Sequence, residues 1–150
     1  MKYVLICFTL MTWSASIQAQ TAEDSVKAVI NQLFQGMKLA DSSLLKASFA
    51  DHAILQTVET AADGTISIRD ESIHSFIESI AKLPRDAADE RIRFDMVKTD
   101  GALATAWTPY QFYFKGKFSH CGVDSYQLVR LQGGWKIQYL IDTRRKDGCL

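Results

Sequence analysis

The sequence predicts an α+β fold with its helices early and a large antiparallel sheet late. Three observations carry this. Apolar residues in the first half recur at helical spacing. From residue 91 onward the period changes to two. Turn pairs then punctuate the second half at Asp100-Gly101, Lys115-Gly116 and Gly133-Gly134. With 150 residues the chain has room for one domain with a real core.

Each element follows from its own signal. Between Ala22 and Leu39, Val26, Val29, Ile30, Leu33, Phe34 and Met37 form one apolar stripe, an amphipathic helix that Thr21 can cap. Asp41 is placed to cap a second, shorter helix, "SSLLKASF". "AILQTVE" (53–59) reads as a strand, "TAADGT" as a turn and "ISIR" as a short strand. Asp70 is then expected to cap a third helix with the stripe Ile73, Phe76, Ile77, Ile80 and Leu83, ended by Pro84. "RIRFDMVKT", "ALATAWTPYQFYF", "KFSHCGVDSYQLVRL" and "WKIQYLIDTRR" follow as four strands of a meander.

Residues 1–20 differ from the rest. One lysine, an apolar run from Tyr3 to Trp13 and a small-residue end at Ile17-Gln18-Ala19 have the layout of an export signal, with cleavage after Ala19 or Gln20. The apolar run is shorter than the about 20 residues a membrane span needs. The expectation is a domain over 21–150, periplasmic or secreted, with no stable membrane anchor after cleavage. Removal of Cys7 would leave Cys121 and Cys149, an even pair in an oxidising compartment, and hence an expected disulfide. Formal net charge is zero, which gives no electrostatic reason for a nucleic-acid partner. No phosphate loop, nucleophile elbow or zinc spacing occurs, so neither a cofactor nor a metal is expected.

The order of elements, with "LFQGMKLAD" in the first helix, "FADHAILQTV" entering the first strand and "GGWKIQYLIDTRR" in the last, is similar to the NTF2-like superfamily. That superfamily includes SnoaL-like cyclases, ketosteroid isomerases and a putative lumazine-binding group. "AWTPYQFYF", "FSHCGVDSYQL" and "WKIQYLIDTRRKDGC" resemble secreted bacterial NTF2-like proteins of unknown function. The resemblance implies a curved antiparallel sheet wrapped around three helices, a cone-shaped pocket and a homodimer paired through the sheet's outer face. A fold of this kind hosts enzymes, binding modules and assembly domains alike.

Strand alternation assigns faces. If the Lys115-Gly116 turn pairs Phe114 with Lys117, then Gln111 faces His120 and Trp107 faces Asp124. If Gln132 pairs with Trp135, Tyr139 faces Leu128. One face then collects Trp107, Gln111, Tyr113, His120, Asp124, Tyr126, Leu128, Trp135, Ile137, Tyr139 and Ile141, an aromatic surface with a few polar groups, as a ligand pocket requires. The other holds Cys121, Val123, Ser125, Gln127, Gln138, Leu140 and Asp142. A bulge in either hairpin would flip part of each set. His120 and Cys121 face opposite ways, which argues against a shared metal ion. Asp124, desolvated among aromatics, is the acid–base candidate, with His120 beside it. Trp107, Gln111, Tyr113, Tyr126, Trp135 and Tyr139 are the candidate ligand contacts. Asp142 with Arg144 reads as an ion pair closing the last strand. Three readings remain open: a binding protein for a small apolar or aromatic molecule, an acid–base enzyme of isomerase, cyclase or dehydratase type, and a dimerisation domain with a filled pocket.

Overall fold

The structure, a computed structural model, describes residues 21–149; the expected export signal lies outside them. It contains three helices and a curved, unclosed sheet of seven strands. The helices are α1 (Ala22–Leu39), α2 (Ser42–Ser48) and α3 (Ile73–Ala81). The strands are β1 (Phe49–Thr60), β2 (Ile66–Glu71), β3 (Ala88–Ile92), β4 (Met96–Asp100), β5 (Leu103–Phe114), β6 (Lys117–Leu131) and β7 (Gly134–Thr143). The sheet runs β2-β1-β7-β6-β5-β3, with β4 also paired to β5.

Local chemistry sets the helix ends. Thr21 Oγ1 accepts the Asp24 N–H at the start of α1, and Ala40 turns left-handed at its end. Asp41 Oδ1 accepts the Ser43 and Leu44 N–H groups and opens α2. The α1–α2 crossing is close: a Cβ on Gly36 would lie 3.0 Å from Leu45. The cap of α3 is Ser72, not Asp70, because Asp70 is still in β2 and accepts from Gln56 Nε2 at 2.6 Å.

Two further departures from the expected meander have physical reasons. "RIRFDMVKT" is not one strand. β3 pairs with the far half of β5 and β4 with its near half, and the chain breaks between them opposite Pro109, which has no N–H for the ladder. The sheet is also mixed, because β1 lies parallel to β7 (Leu55 beside Leu140, Thr57 beside Asp142). Alternation along β1 identifies its buried face but not the strand it joins.

The three helices cover one face of the sheet. Val26, Ile30, Leu33, Leu45 and Ile80 pack there against Ala104, Ala106, Tyr126, Leu128, Ile137 and Leu140. Both long hairpins carry bulges that flip residues between faces. In β5–β6 the register shifts between Phe112 and Tyr113, so His120 lies beside Phe112 and Asp124 beside Thr108. In β6–β7 it shifts at Gln127/Leu128, so Asp142 lies beside Asp124 and Leu140 beside Tyr126.

Past β7 the chain stays against β6. Cys121 and Arg145 exchange two backbone hydrogen bonds of 2.9 Å. Cys121, on the outer face, is joined by a disulfide to Cys149 across a separation of 28 residues. For a loop of that length the chain-entropy account gives about 3.6 kcal/mol. Cys149→Ser is expected to lower the unfolding free energy by about 2–4 kcal/mol in urea titrations under non-reducing conditions. A variant within 1 kcal/mol (roughly) of the parent would show that the tail contributes nothing.

Candidate functional site

A cavity of about 210 Å3 opens between the helices and the inner face of the sheet. Helices α1 and α3 supply mainly apolar wall, with Leu33, Phe34, Met37, Phe76 and Ile80. The sheet supplies Leu55, Phe112 and Leu140, and with them the ionisable groups Glu71, Glu90, His120, Asp124, Asp142 and the following Arg144.

Two sheet rows bring these groups in. One runs Glu90–Phe112–His120 across β3, β5 and β6. The other runs Thr108–Asp124–Asp142–Thr57 across β5, β6, β7 and β1. The β6–β7 bulge is what brings Asp142 onto the inner face beside Asp124, where the two are 7% and 4% exposed.

Asp142 has both oxygens occupied. Thr57 donates to Oδ1 at 2.6 Å, while Tyr110 (3.1 Å) and Arg144 Nε (2.9 Å) donate to Oδ2. It forms an ion pair with Arg144, whose guanidinium also donates to Thr57. Asp124 is held on one side only: Thr108 and Tyr126 both donate to Oδ2 at 3.1 Å. Burial and the nearby Asp142 charge push its carboxyl up to about 7. Glu90, half-buried, reaches the Asp124 carboxyl, and burial, then Asp124 and Asp142, push it well above the usual carboxylate range. Burial also pushes the Tyr110 and Tyr126 hydroxyls up, so both remain hydrogen-bond donors. Burial, then Arg144, pushes the His120 imidazole down, favouring its neutral form. Its ring packs against Phe112 and edge-on to Tyr110, with Ser119 Oγ 3.0 Å from Nδ1.

Asp124 and His120 thus line the cavity. The expected aromatic contacts do not. Past the β5–β6 bulge the phase of β5 is reversed, so Trp107 and Gln111 face outward with Tyr113, and Trp107 is 45% exposed. Tyr113 meets Phe118 edge-on and lies under Arg91. The β6–β7 bulge turns Tyr139 and Ile141 outward, Tyr139 donating to Gln56, and brings Leu140 and Asp142 in. Tyr126 faces inward but lies behind Asp124, and Trp135 sits in the core away from this cavity, at a groove between α1 and the β6–β7 turn. Glu90 was missed because the alternating segment was read from Arg91 onward. Among the described residues, no group of three or more His, Cys, Asp or Glu is placed to hold a metal ion.

Comparisons with known proteins agree with the geometry. Residues 21–139 match the family described as putative lumazine-binding. Among solved structures, an NTF2-like protein of unknown function from Shewanella baltica is 16% identical with a TM-score of 0.63, covering 82% of this chain and 93% of that one. A domain of unknown function with a cystatin-like fold from Nostoc punctiforme is 20% identical with a TM-score of 0.64, covering 85% and 80%. A protein described as a putative dehydratase of the NTF2-like family from Streptomyces avermitilis is 13% identical with a TM-score of 0.59, covering 82% and 95%. No curated protein matches the sequence. The identities are low and the coverage is high, so the shared property is the NTF2-like fold.

Proposed function

The chain belongs to the putative lumazine-binding family, and on that premise we propose that it is an exported protein whose cavity binds a small, flat, largely apolar molecule with one polar edge. The observation that carries this reading is the cavity itself, apolar on its helix side and ionisable on its sheet side. Its 210 Å3 is below the roughly 300–1,000 Å3 of pockets for drug-sized ligands, so the ligand is small. Phe34, Phe76 and Phe112 suit a flat apolar body, and the family description fits a heterocycle of the lumazine kind. Export rests on the sequence of residues 1–20 and is consistent with the disulfide. No helix of the described residues is long and apolar enough to cross a membrane.

A second reading, acid–base catalysis, has its own support. The Asp124 carboxyl at about 7 is matched to proton transfer near neutrality, and a structural neighbour is described as a putative dehydratase. Native mass spectrometry of the purified protein separates the two. A small molecule retained unchanged through incubation is expected on the binding reading. Its conversion, lost in Asp124→Asn, is what the catalytic reading requires. A protein that neither retains a ligand nor takes up lumazine would sink both.

The same proposal includes a homodimer. The outer face of the sheet exposes Ile54, Ile68, Met96, Leu103 and Trp107, more apolar surface than a small monomer leaves to water. A C2 pairing of that face covers it. Light scattering at micromolar concentration is expected to give a dimer, and Trp107→Asp to shift it to monomer without altering the cavity. A monomeric parent protein rules the dimer out.

A further inference from the structure

A second hollow, of about 380 Å3, lies between α1 and the β6–β7 turn and shares no lining residue with the cavity. Val29 of α1, Ala47 of α2 and the glycines of the turn give it small or apolar walls. Trp135, Arg130 and Lys136 also line it, and no aspartate or glutamate does.

Three groups there hold unused donors. The Trp135 indole N–H donates to no group of the described residues, although the side chain is only 5% exposed. It is not sealed in, because no side-chain nitrogen or oxygen of the described residues is both enclosed and without a partner. The indole nitrogen therefore belongs to the small part of Trp135 still open to its surroundings, and the hollow is the space that Trp135 lines. Arg130 makes no ion pair and no side-chain hydrogen bond among the described residues. Lys136 Nζ donates to the Ala47 carbonyl, pairs with no acid and keeps two N–H groups.

We propose that this hollow binds a small organic carboxylate, with the Trp135 N–H and the Arg130 guanidinium on its oxygens and Lys136 as a second positive charge. The site is separate from the cavity and does not rest on the reading given for it. Arg130 and Trp135 are directly opposed in the β6–β7 pair, so their side chains leave the same face of the sheet side by side. One brings a neutral N–H and the other a planar fork of charged N–H groups, which together match the two oxygens of a carboxylate. Two positive charges with no acid among the lining residues select an anion over an amine or a neutral amide. Gln32 and Ser25, the other polar side chains of the lining, are neutral and already donate to Leu44, Ser48 and Thr21. Val29, Ala47 and the indole offer apolar surface to the hydrocarbon part of the ligand, which a bare inorganic anion lacks. The volume falls within the roughly 300–1,000 Å3 of small-molecule pockets.

The test follows the indole N–H resonances of the purified nitrogen-15-labelled protein at neutral pH, the Trp135 peak being assigned by its loss in Trp135→Phe. Acetate and phenylacetate are titrated in, each against its neutral amide. Both carboxylates are expected to move the Trp135 resonance in a saturating manner and to leave that of the outward-facing Trp107 in place. Each acid is expected to bind roughly tenfold or more tightly than its amide, as charge-assisted hydrogen bonds require. Arg130→Gln is expected to weaken the acids by a similar factor. Arg130 is exposed and has no side-chain partner among the described residues, so that variant is expected to unfold at the same urea concentration as the parent. Four results each overturn the proposal: a Trp135 resonance that neither carboxylate moves, equal affinity for acid and amide, undiminished affinity in Arg130→Gln, or tighter binding of inorganic phosphate than of phenylacetate. All four leave the cavity reading standing, since no residue of the cavity takes part.

Discussion

Asp124→Asn is expected to stabilise the protein at pH 8 and to leave it nearly unchanged at pH 4. The folded structure raises this carboxyl from 3.8 to about 7, chiefly by burial. A carboxyl raised on folding contributes its full stability below the unfolded value, and that contribution is lost as pH rises through the folded value. The loss therefore falls between about pH 4 and pH 7, the reverse of ordinary acid denaturation. A rise of that size corresponds to something on the order of 4 kcal/mol. Asparagine fills the same volume, its side-chain oxygen can accept from Thr108 and Tyr126, and it carries no charge to bury. Glu90, raised by the same neighbours, adds to the trend in the same direction and relaxes when Asp124 is neutralised. His120 runs the other way, costing stability as it is protonated in acid, but it is common to both proteins and cancels in their difference. Urea unfolding of parent and variant at several pH values measures that difference. A variant less stable than the parent at pH 8, or a difference that does not change with pH, would show that Asp124 is not held as a desolvated acid.

Much of the fold was legible because its signals are local. The α1 stripe, the Thr21 and Asp41 caps and the glycines of the hairpin turns each follow from a few neighbouring residues, and the structure has them where the sequence puts them. The Cys121–Cys149 bridge was legible too, since it needs only an even pair and a tail that runs along β6. The contents of the site were not, because they depend on register. A bulge of one residue in each long hairpin reverses the phase of everything beyond it. Asp142 therefore faces the cavity and Tyr139 faces out, opposite to simple alternation from the turns. Asp124 and His120 keep the face that alternation along β6 gives them, whereas Trp107 faces outward because the bulge separates it from the turn that sets the count. Glu90 became part of the site only because β3 docks on the far half of β5, a pairing to which no short-range pattern points. One signal lies in β6 itself: Gly122, in the middle of "KFSHCGVDSYQLVRL", is the kind of residue that marks a bulge or a close backbone approach.

That glycine carries the other large expected effect. Gly122→Ala is expected to cost at least about 3 kcal/mol and to disorganise the cavity, although it adds one methyl group. Gly122 does not occupy the left-handed region, so its role is space and not backbone freedom. The carbonyl of Thr143 passes over it so closely that a Cβ would lie 1.7 Å from that oxygen and 2.8 Å from Tyr110 Cε1. Neither neighbour can yield freely. The oxygen belongs to backbone pinned on both sides, by the β6–β7 pairing at Asp142 and by the Cys121–Arg145 bridge. Tyr110 donates to that same carbonyl at 2.9 Å and to Asp142 at 3.1 Å. Relief of the clash must lift the end of β7 off β6. That moves Asp142 and Arg144 away from Thr57 and Tyr110 and strains the approach of Cys149 to Cys121. The loss thus combines overpacking with broken buried hydrogen bonds, two of the mechanisms that give large destabilisation. Gly133→Ala is the matched control: a Cβ there meets nothing within 4 Å, and its effect is expected to stay within about 0.5 kcal/mol. Urea midpoints report the stability difference, and thiol labelling without reductant reports whether the disulfide still closes. If the two alanine variants unfold within about 1 kcal/mol of each other, the end of β7 is not held against Gly122, and the placement of Asp142 and Arg144 at the cavity loses its structural support.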